Sequence, residues 1–224
     1  QDFNAATYGL TKHLKNLAKY VQGGGGLIMV GGPDAFGPGQ YAGTELAPAL
    51  PVQIDRSHAR EGVDLALFDP VLTPAGRVAP VLAPLRDVIG SQMPEMPGTN
   101  IVGAANPGAT VLMTHPTLGG SEPMPLLALG EYGTGRTIAL TLDGTHKLLM
   151  GERAAEQAGR AYGALWDGLL GWLMRDPRFE STGIDITGGC VAGEPSALVL
   201  RPLPGHVGVA TLTIRELGSG DVPF

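Results

Sequence analysis

The sequence is poor in cysteine, in charge and in long apolar runs, and each shortage excludes a class of protein. Cys190 is the only cysteine among 224 residues, which excludes an internal disulfide framework and a cysteine-rich zinc site. No apolar run approaches the length of about 18–20 residues that a membrane span requires. The chain is therefore predicted not to cross a membrane. Its 43% hydrophobic and 16% charged residues are typical of a globular protein.

Positive charge is also scarce. The chain has 15 Lys and Arg against 21 Asp and Glu, a net charge of −6, and no two basic residues are adjacent. A protein that binds nucleic acid needs a basic patch to meet the phosphate backbone. Nucleic acid is therefore not a predicted partner. The histidines form no His-x-x-x-His or His-Glu-x-x-His pattern, so we predict no metal site.

The N-terminal third has the pattern of an α/β protein. Leu10 begins an apolar series with spacings of four, three and four residues, which predicts a helix that ends at Gly23. Residues 27–30 follow as an all-apolar strand, typical of a parallel sheet buried on both faces. A helix leading into such a strand is half of a βαβ unit. We therefore expect the chain to be a fragment whose first strand lies upstream.

The remaining segments predict further strands and one long helix. Residues 110–113 read as a strand, and the segments Leu126–Leu129 and Thr137–Thr141 as a hairpin with a glycine-rich turn. A helix is predicted from about residue 154 to 174, where it stops before Pro177. Beyond it, short β-rich runs such as VATLTIREL alternate with Pro and Gly turns. The pattern predicts an α/β domain over residues 1–180 and the start of an antiparallel β domain over 181–224.

The glycine-rich segment GGGGLIMVGGPDAFGPGQYAGT poses the main functional question. It contains no Gly-Lys-Ser/Thr, so it is not predicted to bind phosphates, and no cofactor is expected. The turn after its strand holds Gly31, Gly32, Pro33 and Asp34, none of which carries a thiol or hydroxyl group. Asp34 could ligate a cation or accept a hydrogen bond, or it could only close an Asx-turn.

Other candidate residues lie at strand ends or past the last helix. Asp143 and His146 follow a predicted strand, where they could form an acid–base pair or only cap a turn. His115 also follows a strand, but no partner lies at a recognisable spacing. Cys190 has no predicted helix N-terminus or histidine beside it to lower its pKa. We therefore interpret it as a structural or incidental cysteine.

Three segments carry a resemblance to a known family. YVQGGGGLIMVGGPDAFGPGQYAGTELAPALPV, LLALGEYGTGRTIALTLDGTHK and ALWDGLLGWLMRDP resemble class I glutamine amidotransferase-like domains over most of residues 6–178. These domains often occur in larger bacterial membrane-anchored proteins, some with von Willebrand A-type domains, and are related to trehalose-utilisation-type domains. The resemblance implies a three-layer flavodoxin-like fold with a mostly parallel sheet. It also implies a soluble domain of a membrane-anchored cell-envelope protein.

The family's catalytic residues cannot be carried over. Class I amidotransferases use a cysteine in a Gly-x-Cys-x-Gly elbow, with a later His-x-Glu whose histidine is the base. The elbow aligns best with residues 30–34, which contain no cysteine, and the His-x-Glu with residues 142–146. That second segment offers Asp143 and His146 in a different order. Without the thiolate, the thioester route is closed.

These observations leave three hypotheses open. The first is a non-catalytic module that binds a small ligand or a protein partner at the carboxyl edge of the sheet. Its predicted binding residues are Gly31, Gly32, Asp34 and Thr145. The second is a hydrolase in which Asp34, Asp143 and His146 converge to activate water or a metal. The third is a spacer without a pocket of ligand size. The sequence favours a protein that is not an enzyme.

Overall fold

The computed structural model describes residues 2–54, 57, 62–90, 92–150, 159–187, 194–195 and 197–201. The chain divides into two units, Gln1–Glu180 and Ser181–Phe224. In the second unit, Gly183–Thr187 and Ala197–Arg201 form an antiparallel hairpin. The prediction that this unit begins an antiparallel β domain stays a prediction. Cys190 and the predicted β-rich run VATLTIREL lie outside the described residues.

The first unit alternates helices and strands. Its helices are α1 Leu14–Gln22, α2 Pro74–Val78, α3 Ala83–Ile89, α4 Lys147–Met150 and α5 Arg160–Leu173. Its strands are β1 Gly26–Val30, β2 Val63–Phe68, β3 Val71–Leu72, β4 Met96–Asn100, β5 Thr110–Thr114, β6 Pro125–Tyr132 and β7 Gly135–Leu140. The predicted first helix and strand are confirmed as α1 and β1. The predicted hairpin is confirmed as β6 and β7.

Five strands form one sheet in the order β1-β7-β6-β5-β3, and β2 pairs with β4 separately. The α/β fold is confirmed, but the expected parallel character is only partial. In the described sheet β1 and β7 are parallel, whereas the other three pairings are antiparallel. Residues 133–134 alone connect β6 to β7, and a two-residue turn can join only antiparallel strands. The link from β5 to β6 contains no crossover helix.

Helices cover both faces of this sheet. Successive residues of a strand point to opposite faces. In β7, a Cβ atom on Gly135 would lie 1.9 Å from the carbonyl oxygen of Val21, so that face packs directly on α1. The next residue, Arg136, donates from Nη1 to the carbonyl oxygen of Trp172 at 2.6 Å, which places α5 on the other face. The sheet therefore lies between two helical layers.

One partly buried ion pair links the end of this unit to the sheet. The Arg136 side chain is only 8% exposed, and its guanidinium group meets the Glu180 carboxylate through Nη1–Oε1 and Nη2–Oε2 contacts of 2.6 and 3.1 Å. The same guanidinium group lies 4.7 Å from the centroid of the Trp172 ring. A bidentate pair of this kind is strong when it is shielded from water.

We expect Glu180→Gln to lower the free energy of unfolding by about 1–3 kcal/mol, because it leaves the buried guanidinium group with only the exposed Glu131 carboxylate, 4.0 Å from Nε, as a counter-charge. Chemical denaturation monitored by circular dichroism would measure the change. Glu45→Gln is the matched control, since Glu45 is exposed and has no ion pair among the described residues. An equal effect of the two substitutions would contradict a stabilising role for the pair.

Candidate functional site

The carboxyl ends of β1, β5 and β7 lie along one edge of the sheet. The strand pairing requires this, because β1 is parallel to β7 and two antiparallel steps connect β7 to β5. The edge therefore carries the turn after β1, residues 141–146 after β7 and residues 115–124 after β5. The predicted site residues Gly31, Gly32, Asp34, Asp143, Thr145 and His146 all lie on the first two of these segments.

The backbone N–H groups of the turn after β1 all form hydrogen bonds within the protein. Every N–H group from Gly31 to Ala35 donates a hydrogen bond within the protein, and Pro33 has none. The acceptors, in chain order, are Leu140 O at 2.7 Å, Asn100 Oδ1 at 2.9 Å, Asp2 Oδ1 at 2.6 Å and Gly32 O at 3.0 Å. Stabilisation of an oxyanion requires backbone N–H groups that are aimed at the substrate. This turn has none to offer.

Asn100, the last residue of β4, holds the turn in place. Its side chain is fully buried, and its Oδ1 accepts from the Gly32 nitrogen. Its Nδ2 donates to the carbonyl oxygens of Gly32 and Ala35 at 3.0 and 3.3 Å. Sequence reasoning missed this residue, because the segment MPGTN has no periodicity that marks it as a strand.

The same strand pairs with the segment that follows β7. The Asn100 nitrogen donates to Thr141 O at 3.0 Å, and the Asp143 nitrogen donates to Gly98 O at 3.3 Å. The buried hydroxyl groups of Thr99 and Thr141 are 2.9 Å apart. β4 therefore fixes the two predicted loops relative to each other.

The three candidate acid–base residues share no hydrogen bond or ion pair. Asp34 is half-buried, and its Oδ1 lies 3.5 Å from Nδ2 of Asn4. Asp143 is half-buried and His146 is exposed. Within the described ranges, no hydrogen bond or ion pair links any two of these side chains. Thr145, predicted to bind ligand, is buried at 5% exposure.

Metal ligands do not converge in the described part of the chain, where no three His, Cys, Asp or Glu side chains are placed to hold an ion. Asp34, Asp143 and His146 thus form no such group. The predicted hydrolase arrangement has the right residue types at the right edge of the sheet, but the structure gives it neither a shared hydrogen bond nor a metal site.

A cavity of about 700 Å³ opens elsewhere on the same edge. Its walls come from the start of β2, the segment after β4 and the loop before β6. The lining residues are Val63, Asp64, Ile101, Val102, Gly103, Ala104, Leu118, Gly119, Ser121, Glu122 and Met124. None of the residues predicted to bind ligand is among them. Three segments distant in sequence build this space, so no local motif could have revealed it.

His115 adjoins this cavity. It is 4% exposed, and its Nδ1 accepts from the nitrogens of Thr117 and Leu118 at 3.2 and 3.0 Å. An accepting Nδ1 places the proton of the neutral ring on Nε2, which has no partner among the described residues. Burial lowers the pKa of His115, and the nearby Asp64 carboxylate raises it to a smaller extent. The neutral ring is therefore favoured.

A mixed sheet between helices, with a glycine turn at the carboxyl edge, defines an α/β protein of the flavodoxin-like type. The chain belongs to the family described as "Putative glutamine amidotransferase", whose model matches residues 5–175. The family resemblance seen in the sequence is thereby confirmed. No curated protein matches the chain at a significant level.

Two solved structures from Salmonella typhimurium are similar. The cytoplasmic protein STM3548 shares 25% identity at a TM-score of 0.52, over 71% of this chain and 59% of its own length. The cytoplasmic protein STM1381 of strain LT2 also shares 25% identity, at a TM-score of 0.53, over 72% of this chain and 60% of its own. The chain thus spans about three fifths of each protein.

None of the helices in the described ranges is both long enough and apolar enough to traverse a lipid bilayer.

Proposed function

We propose that this domain is a catalytically degenerate amidotransferase-like domain that binds a ligand or a partner for a larger bacterial protein. One observation carries the proposal: the turn after β1 contains no nucleophile, and its backbone N–H groups are all occupied within the protein. Amide hydrolysis through a thioester needs a thiolate and donors for the oxyanion. Loss of one such donor costs an enzyme about 10²–10³ in kcat.

The proposed ligand space is the cavity beside β2. Its volume of about 700 Å³ falls in the range of small-molecule sites, and its wall is apolar with a few polar groups. Three of the predicted binding residues, Gly31, Gly32 and Thr145, are buried, so we assign them a structural role at the edge of the sheet. Asp34 is only partly buried and remains accessible to a partner. A cavity of this size argues against the spacer hypothesis. Association with the cell envelope is proposed from the family resemblance alone.

The test is ammonia release from glutamine by the full chain, by Cys190→Ser and by an Asp143→Asn, His146→Ala double variant. We expect no release above the protein-free background from any of them. Release that disappears in Cys190→Ser would overturn the proposal and identify a thiol amidotransferase. Release that survives Cys190→Ser but disappears in the double variant would support the alternative, a hydrolase that uses Asp143 and His146.

A further inference from the structure

We propose that the cavity beside β2 binds an organic cation, an ammonium group attached to an apolar body. This inference rests on the proposed function in one respect, that the cavity is the ligand site of the domain. Its described lining combines six apolar side chains with two carboxylates and one hydroxyl group. The apolar residues are Val63, Ile101, Val102, Ala104, Leu118 and Met124, and the polar ones are Asp64, Ser121 and Glu122.

The described part of the wall carries charge of one sign. Among the lining residues that the structure describes, Asp64 and Glu122 are acidic and none is lysine, arginine or histidine. Within the described part of the chain, neither carboxylate takes part in an ion pair. The excess of acidic residues over the whole chain, a net charge of −6, adds to the negative potential. A cation is attracted to such a wall, and an anion is repelled.

Asp64 is placed to accept a hydrogen bond from a ligand. It is half-buried, and its Oδ1 accepts from the nitrogen of Ala66 at 2.9 Å. Its second oxygen accepts no hydrogen bond from any described residue. A partly desolvated carboxylate oxygen without a partner favours a charged N–H donor, because charge-assisted hydrogen bonds are stronger than neutral ones. Glu122 is exposed and lies on the loop before β6, where it can meet a cation that enters.

The histidine beside the cavity does not oppose a cation. Two lining residues hold His115 in place. The backbone nitrogen of Leu118 donates to Nδ1 of its ring, and the backbone nitrogen of His115 donates to the carbonyl oxygen of Met124. Its burial against Phe68, with ring centroids 4.2 Å apart, favours the uncharged ring. Within the described part of the lining, therefore, no basic side chain faces the ligand.

The same features separate this ligand from free glutamine. An amino acid carries a carboxylate as well as an ammonium group, and the lining residues that the structure describes include no basic side chain to pair with that carboxylate. An amine without a carboxylate is attracted to the acidic side chains through its ammonium group and has no negative charge for them to repel. The cavity is therefore expected to select amines over zwitterionic amino acids.

The experiment compares phenethylammonium with 3-phenylpropionate, two probes of nearly equal size and opposite charge. Each is titrated into the full chain while amide signals of residues 101–104 are followed by NMR. We expect phenethylammonium to bind at least about tenfold more tightly than 3-phenylpropionate, and its affinity to fall as salt is added. Equal or tighter binding of the carboxylate, or no binding of either probe, would overturn the inference.

Two variants test the assigned groups. Asp64→Asn and Glu122→Gln should each weaken phenethylammonium binding several-fold, and together by about tenfold or more. Binding of 3-phenylpropionate should not weaken, because the substitutions remove the charges that repel it. Glu122 is exposed, so its substitution should not disturb folding. Glu45→Gln, outside the cavity, is the control and should leave the affinity unchanged. Unchanged affinity in the double variant would overturn the inference. Failure of the proposed function would appear separately, as ammonia release.

Discussion

Asn100→Ala is expected to lower the free energy of unfolding by about 3–5 kcal/mol, the largest loss we predict for a polar side chain in this domain. The substitution removes three hydrogen bonds to the turn after β1. It leaves the Gly32 N–H group without its acceptor in a fully buried place, and it leaves a small cavity. Urea denaturation would measure the loss.

Two further variants separate the causes of this effect. Asn100→Asp keeps the side-chain volume and the oxygen that accepts from the Gly32 nitrogen. It replaces Nδ2, which donates to the carbonyl oxygens of Gly32 and Ala35, with a carboxylate oxygen that those two oxygens repel. We expect it to be at least as destabilising as alanine at neutral pH. Asn16→Ala, on the exposed face of α1, should change stability by less than about 0.5 kcal/mol. A loss below about 1 kcal/mol for Asn100→Ala would contradict the assigned role.

The role of Asn100 also shows where the sequence stops being informative. The helix α1 and the strand β1 could be predicted because their apolar spacing is local and continuous. Asn100 acts on Gly32, 68 positions earlier in the chain, and no spacing rule connects them. Its neighbours are proline, glycine and threonine, a composition that indicates a loop more often than a strand. Only the assembled sheet brings the two segments together.

The direction of the strands was predicted only in part, for a related reason. An all-apolar run indicates burial on both faces, and central antiparallel strands are buried in the same way as parallel ones. β6 and β7 illustrate this, since Leu126, Leu127, Ile138 and Leu140 are all fully buried in antiparallel strands. The short turn between them was the reliable signal, whereas the mostly parallel sheet came from the family resemblance.

One part of the candidate site could be predicted from the sequence and another part could not. The edge of the sheet could be predicted, because the residues after β1 and β7 are recognisable as turns. The cavity could not, since β2, the segment after β4 and the loop before β6 lie far apart in the sequence. Asp64 and Glu122 look like ordinary surface acids until the fold places both on one wall. Candidate residues in turns could therefore be predicted from the sequence, whereas the residues that line the cavity could not.

Gly31→Ala is expected to destabilise the domain by about 3 kcal/mol or more, or to prevent folding. A Cβ atom at this position would lie 2.2 Å from the carbonyl oxygen of Thr141 and 2.8 Å from the carbonyl carbon of Leu142. Both are backbone atoms held by β4, so the clash cannot be relieved by a change of side-chain rotamer. Thermal unfolding of the purified variant would measure the effect.

The matched control is Gly163→Ala. Gly163 is exposed in the first turn of α5, and a Cβ atom there would meet nothing within 4 Å. Alanine should therefore stabilise the helix by about 0.5–1 kcal/mol. Opposite signs for the two substitutions would support a close approach at Gly31 that admits no side chain. If Gly31→Ala were as stable as the parent, the close approach of Gly31 to the Thr141 and Leu142 backbone would not restrict this turn.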